Sequence, residues 1–296
     1  IVFNKNSKIS VIMITLNESH NLDRIIHNLK SWVNEIFILD SFSNDTTVDI
    51  ALKNNIKIYQ NKFKDFGSQW NLALENLPIR TDWIMKVDPD EFVTDELKVN
   101  IDNIIRENRC EAIEVTRRLM FVDKPININN NIVRIWKKGH CKFTNVKVNE
   151  HPIIDGKIFK ANGFLEHFDS PNIHHWIIKQ NYYSSLEAKI NYSNLNLADK
   201  PKFFGNKFQR RMWFKKNFFY FPFRYIFLFL YFYIFQGAFI SGKPGYLWSK
   251  MKTDFMRFTE FKIYEMKLKK SGNLNINNYN GTPDKRVPLL NIKKDK

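Results

Sequence analysis

The chain has 296 residues, 44% hydrophobic and 26% charged, which excludes a disordered polymer and suffices for one large domain or a domain with an appendage. Two cysteines, Cys110 and Cys141, exclude a disulfide framework and a cysteine metal site, so a reducing cytoplasm is the simple expectation. The net charge of +16 is uneven: residues 201–296 hold 20 Lys and Arg against 5 Asp and Glu, while residues 1–200 carry a net +1, so the basic, aromatic last third suits a polyanion, either nucleic acid or an anionic membrane.

The opening IVFNKNSKIS has no charged segment followed by a long apolar one, so no signal peptide is predicted. KISVIMIT (8–15), EIFILD (35–40), IKIYQN (56–61) and WIMKVD (83–88) read as buried strands. Between them, residues 18–32 place Leu22, Ile25, Ile26 and Leu29 at helical spacing, and 43–55 and 68–77 read as helices. This alternation predicts an α/β fold, a mainly parallel sheet with helices on both faces. Ligands of such sheets bind at the carboxyl ends of the strands, which here carry Thr15-Leu16-Asn17-Glu18, Asp40-Ser41 and Asp88-Pro89-Asp90-Glu91. Neither GxGxxG nor GxxxxGK[ST] is present, which removes a dinucleotide fingerprint and a P-loop. Residues 111–170 turn to β-type segments, expected to form a mixed extension closing over the strand ends, and 174–200 read as a helix.

The run FFYFPFRYIFLFLYFYIFQGAFI (218–240) holds one charge, Arg224, and one proline, Pro222. It is nearly long enough to span a bilayer. Its richness in Phe and Tyr and its basic flanks, RRMWFKK (210–216) and the helix from Lys250 to Lys270, fit an in-plane or re-entrant attachment to an anionic leaflet better than a span or a buried helix. Three regions result: 1–172, 173–270 with an interfacial segment near 210–245, and an Asn-rich tail, 271–296.

A strand-end Asp-x-Asp can hold Mg²⁺ or Mn²⁺ through hard oxygen ligands, and the metal binds a diphosphate; a helix-capping turn is the plain alternative. The ordered set SVIMITLNE (10–18), FILDSFSNDTT (37–47), FGSQWNLAL (66–74) and WIMKVDPDEF (83–92) resembles the family 2 glycosyltransferases of GT-A fold, and within them the bacterial lipopolysaccharide-core β-glucosyltransferase group. NIVRIWKKG (131–139), VNEHP (148–152), LEHF (165–168) and GAFISGKPG (237–245) continue the match, which covers roughly residues 8–268. Pro89, Trp70 and Asn149 depart from the usual Ala, Arg and His of that group.

The resemblance implies roles. Asp40 would accept from the nucleotide base, with Thr15, Leu16 and Glu18 lining the base and ribose pocket. Gln69 and Asn71 would touch the nucleotide or serve as ordinary helix positions. Asp88 would face ribose or metal, and Asp90 would ligate the metal. His151 and His167 would be a late metal or phosphate contact, or structural. Arg117, Arg118 and Arg134 would hold donor diphosphate or acceptor phosphate, or pair on the surface. An inverting transfer needs a base for the acceptor hydroxyl; Glu150 is preferred, with Glu91 the other candidate. The implied activity moves a hexose from a nucleotide-diphosphate sugar, UDP first, to a lipid-linked acceptor at the cytoplasmic face of the membrane. Two competitors remain: a nucleotidyltransferase, although TLNESHNL lacks that class's Gly-rich loop, and a basic nucleic-acid binder, which the clustered acids oppose.

Overall fold

A computed structural model describes residues 7–144, 151–192, 201–205 and 207–272. Chain contacts divide after Asp169 into two compact units.

The first unit starts with β1 (Ile9–Thr15), α1 (Ser19–Lys30), β2 (Glu35–Asp40), α2 (Thr47–Lys53), β3 (Lys57–Gln60), α3 (Phe66–Asn76) and β4 (Trp83–Lys86). It continues with β5 (Glu91–Val93), α4 (Asp95–Glu107), β6 (Ala112–Phe121), β7 (Lys124–Lys137), β8 (Cys141–Phe143), β9 (Pro152–Ile154) and β10 (Ile158–Phe168). Eight strands form one sheet in the order β3-β2-β1-β4-β7-β6-β10-β5, and β8 pairs with β9 separately. The four strands read as apolar runs are parallel neighbours.

Four of the seven pairings in the sheet are parallel, β10 with β6 among them, and the extension is mixed as expected: β7 runs antiparallel to both β4 and β6, and β5 antiparallel to β10. A local cause is the two-residue turn Val122-Asp123, both at positive φ, which joins β6 to β7 as a tight hairpin.

Strand alternation divides the core between the two faces. Ile9, Val11 and Met13 of β1, Ile36 and Ile38 of β2, and Trp83 and Met85 of β4 meet Leu22, Ile25 and Leu29 of α1 and Leu97 and Ile101 of α4. The intervening Ile12, Phe37, Leu39 and Ile84 meet Trp70 and Ala73 of α3 and Phe143 of β8. Helix α4 was not predicted from the sequence, although Thr94 caps it and Leu97, Ile101 and Ile104 share a stripe.

Buried Asn28 of α1 closes the edge at β5: its amide donates to Val93 O at 3.0 Å and its carbonyl accepts from Val93 N at 2.9 Å. Gly163 (φ +93) lies within a register shift of β10 against β6. A Cβ there would stand 2.5 Å from Leu97 N, so only glycine lets β10 cross the start of α4.

The second unit contains α5 (Ile173–Tyr192), α6 (Lys207–Asn217), a 3-10 turn at Phe218–Tyr220, α7 (Arg224–Leu230), a π turn at Tyr231–Phe235, a 3-10 turn at Ala238–Ser241, and α8 (Gly242–Lys270). The apolar run is thus broken into pieces, with Phe223 and Gly237 in left-handed conformation at the joints. No single described helix is long and apolar enough to cross a membrane; one bent pair, Arg224–Phe235 and Ala238–Lys270 at 69°, passes that test only jointly. The lone charge of the run, Arg224, reaches Glu260 of α8, which also accepts from the Tyr225 hydroxyl. Helix α8 is tied to α5 by Lys262, whose ammonium bonds to Asn181 O, Asn181 Oδ1, Ser184 Oγ and Ser185 Oγ at 2.6–2.8 Å.

Candidate active site

Strand register assembles the site. Parallel pairing sets Thr15 opposite Asp40, and the Thr15 hydroxyl donates to Asp40 Oδ1 at 2.8 Å. Ser43 donates its hydroxyl to Oδ1 at 2.5 Å and its backbone N–H to Oδ2 at 2.9 Å, while the Gln60 amide donates to Oδ2 at 3.2 Å. Desolvation would raise the buried Asp40 carboxyl, but these bonds hold it below its ordinary value. Four donors fill its four lone-pair positions.

The loops beside it are stitched together in the same way. Asn17 N–H donates to Ser43 Oγ, Asn44 N–H to Asn17 Oδ1 and Glu18 N–H to Thr47 Oγ1, all at 2.8–2.9 Å. Asp45 accepts from the backbone and hydroxyl of Thr47 and from Ser19 N–H. Leu16 and Phe42 stay more than half exposed at this end of the sheet. The sequence singles out Leu16 but not Phe42, an exposed aromatic at φ +61.

Next to β1, β4 ends in the acidic turn. Antiparallel register places Ile135 opposite Met85, so Arg134 comes beside the turn. Its Nη2 donates to Asp88 Oδ2 at 2.6 Å and to Glu91 Oε1 at 2.5 Å. Burial alone would raise the Asp88 carboxyl, but the Arg134 charge, helped by Lys86, holds it well below the carboxylate range. Glu91 is fully enclosed and shifted up, by burial first and then by Asp88 and Asp90, despite Arg134. Its Oε2 accepts the Asp88 N–H at 2.9 Å, so Glu91 braces the turn.

Register between β10 and β5 puts His167 opposite Glu91, and His167 Nε2 lies 3.2 Å from Asp90 Oδ2. Burial lowers the imidazole pKa, but the bond to Asp90 and its charge outweigh this and raise it. A small divalent ion holds its ligands at about 2.1 Å near right angles, so adjacent ligands stand about 3 Å apart. Asp90 and His167 fit that spacing. Among the described residues no group of three or more His, Cys, Asp or Glu could hold a metal.

Around this pair stand three arginines. Arg117 lies 3.8 Å from Glu91 and is partly exposed; Arg118 bonds Glu166 at 2.5 Å and stacks on Phe164. Arg24 of α1 carries no motif, yet its guanidinium stacks 4.1 Å from the Phe168 ring and feels the charges of Asp90 and Glu166. Gln69 is buried and joined to Asn61, which donates to its Oε1 at 2.8 Å. Asn71 exchanges two backbone-like bonds with Phe143, at 2.9 and 3.0 Å, and so tethers β8. His151 is exposed, and its N–H donates to Thr144 Oγ1 at 3.2 Å. Glu150 lies outside the described residues.

The family model described as "Glycosyl transferase family 2" matches residues 10–156. An uncharacterised glycosyltransferase of Rickettsia felis is 30% identical over 198 residues, which cover 62% of this chain and 69% of that protein. The chain belongs to glycosyltransferase family 2. An uncharacterised glycosyltransferase of Rickettsia typhi is 29% identical over 238 residues, 73% of this chain and 79% of that one. The crystal structure of S. aureus TarS superposes with a TM-score of 0.41 and 16% identity, over 84% of this chain and 49% of its own; the chain thus spans about half of that structure. As a family 2 glycosyltransferase the chain is a transferase enzyme, and its mixed sheet with flanking helices is GT-A-like. The nucleotidyltransferase and nucleic-acid readings fall away.

Proposed function

We propose that this family 2 glycosyltransferase is an inverting, divalent-cation-dependent hexosyltransferase. It would take a nucleotide-diphosphate hexose, UDP-hexose first, to a lipid-linked acceptor such as lipopolysaccharide core at the cytoplasmic face of the membrane. The observation that carries the reading is the Asp90–His167 pair, 3.2 Å apart beside the charged turn after β4.

Asp90 and His167 would hold Mg²⁺ or Mn²⁺, with Asp88 kept ionised by Arg134 one step behind. When bound, such an ion neutralises the charge gathering on the departing diphosphate. The protein's own groups do the rest. Asp40 would accept from the base in exchange for the Gln60 amide, the longest of its four bonds at 3.2 Å, and Leu16 and Glu18 border the ribose. Arg117, tied to Glu91 only at 3.8 Å, keeps N–H donors for the diphosphate. Glu91 is enclosed and braces the turn, which favours Glu150 for taking the acceptor's proton as its oxygen attacks the anomeric carbon. For the membrane part, the support is the +15 charge of residues 201–296 and the exposed aromatics of the second unit.

Melting temperature with Mn²⁺ and UDP-, GDP-, dTDP- or ADP-sugars identifies the donor, since a ligand of the folded form raises it. Asp90→Ala and His167→Ala are expected to abolish the Mn²⁺-induced shift and to lower turnover by about 10²–10³-fold. Full turnover by Asp90→Ala with metal present overturns the cation role. Glu150→Gln is expected to cut kcat by about 10²–10⁴-fold with donor affinity unchanged.

A further inference from the structure

Residues 226–240 hold no charged side chain, and the structure makes them a two-faced element. One face packs ring on ring inside the second unit: Phe229 meets Tyr246 at 5.7 Å, Phe232 meets Trp248 at 5.4 Å, and Tyr233 meets Tyr246 at 5.9 Å. The other face is bare. Phe227 is 63% exposed, Tyr231 48% and Phe235 81%, with Ile226 and Ile234 exposed beside them.

These aromatics recur every fourth residue. Four residues of α-helix overshoot a full turn by about 40°. The π turn at Tyr231–Phe235 is wider than four residues and falls short of one. The two offsets oppose each other, so α7 and the π turn hold the three rings close to one line. A single exposed Phe is ordinary on a soluble protein, but a line of apolar side chains marks a contact surface.

Charge selects the occupant. Arg210, Lys243 and Lys250 are exposed in the same unit, and residues 201–296 carry a net +15. An apolar protein groove has no need of that excess, whereas an anionic bilayer attracts it, and Phe and Tyr favour the boundary between headgroups and acyl chains. The Arg224–Glu260 pair anchors the polar end of the element to α8, so the chain's only charge in the run is drawn away from lipid.

We propose that the face formed by Phe227, Tyr231 and Phe235, with Ile226 and Ile234, lies flat in the headgroup region of an anionic bilayer and docks the enzyme there. This rests on the membrane part of the function proposed above, and adds which side chains touch lipid and in what orientation.

The test is co-sedimentation of the full chain with phosphatidylglycerol–phosphatidylcholine vesicles and with phosphatidylcholine alone. The wild type is expected on the anionic vesicles, and Phe227→Glu/Phe235→Glu is expected to lower retention by about tenfold or more. Val99→Glu, an exposed apolar position on α4, should bind as wild type. Phe227→Trp/Phe235→Trp keeps the rings, so it reports even if the glutamate variant fails to fold; it should bind, with added indole emission quenched by lipids bearing a nitroxide near the headgroup. Equal retention of wild-type and glutamate variants, or no quenching of the added indoles, overturns the face assignment and leaves membrane attachment standing. A wild type that stays in solution with every vesicle sinks both, while Mn²⁺-dependent UDP-hexose turnover would still stand apart. A wild type that is dimeric without lipid and a glutamate variant that is monomeric, neither binding vesicles, gives the face to a second copy and overturns the proposal.

Discussion

Arg134 carries two carboxylates on one nitrogen, and all three groups sit at the end of a buried strand. Removing a single partner of such a cluster leaves the others charged and without a counter-ion, which is costlier than removing the cluster. Arg134→Met is therefore expected to destabilise the fold by about 3–5 kcal/mol in urea unfolding, and Arg134→Met/Glu91→Gln to recover part of that loss; an effect near zero would make Arg134 a plain surface group. Asp45 offers a pH readout. Burial opposes its ionisation, but the bonds from Thr47 and Ser19 win and bring its carboxyl to about 2, from an ordinary 3.8. A depressed carboxyl stabilises the folded chain fully above its unfolded value and loses that contribution as pH falls from about 4 toward 2. Thermal melts of wild type and Asp45→Asn should thus differ most near neutrality and converge in acid. Little of this was legible in the sequence: the acidic turn and Asp40 stand out by their motifs, whereas Arg134 and His167 gain their partners through register across the sheet.

Elements that repeat an apolar run gave themselves away. β1, β2 and β4 are buried on both faces, so their residues are apolar almost without a break. The parallel half of the sheet could be read for that reason; over 111–170 the β-type segments could be read but not their pairing, because β7 mixes Asn and Lys with its apolar residues and joins β6 through an unmarked Val-Asp turn. β10 depends on one glycine. Gly163→Ala would press a methyl group into the backbone of Leu97 and strain a left-handed φ, shifting the strand that bears His167. We expect Gly163→Ala to lower the melting temperature and to weaken the Mn²⁺ response together; loss of neither would show that β10 can move aside. In the second unit, Glu260→Gln removes the charge that faces Arg224 and is expected to loosen α7, read as faster amide exchange across residues 224–235 with α5 and the Lys262 contacts unchanged.

At the scale of the molecule, charge and chemistry are divided between the units. The first is near neutral overall yet places Asp88, Asp90 and Glu91 around one strand end; the second is strongly basic. Attraction of exposed cations to an anionic surface is screened over about 8 Å at physiological ionic strength. Vesicle binding should therefore weaken steeply between 50 and 500 mM salt, while donor binding at the enclosed turn changes far less; equal salt slopes for both would contradict the division. Under the proposed docking, the 69° bend between Arg224–Phe235 and Ala238–Lys270 would govern how the enzyme leaves a membrane. A span is withdrawn only by detergent, but neither arm here is both long and apolar enough to thread through. Washing membranes with alkaline carbonate should consequently release the intact enzyme into the supernatant, and its removal would leave the bilayer sealed.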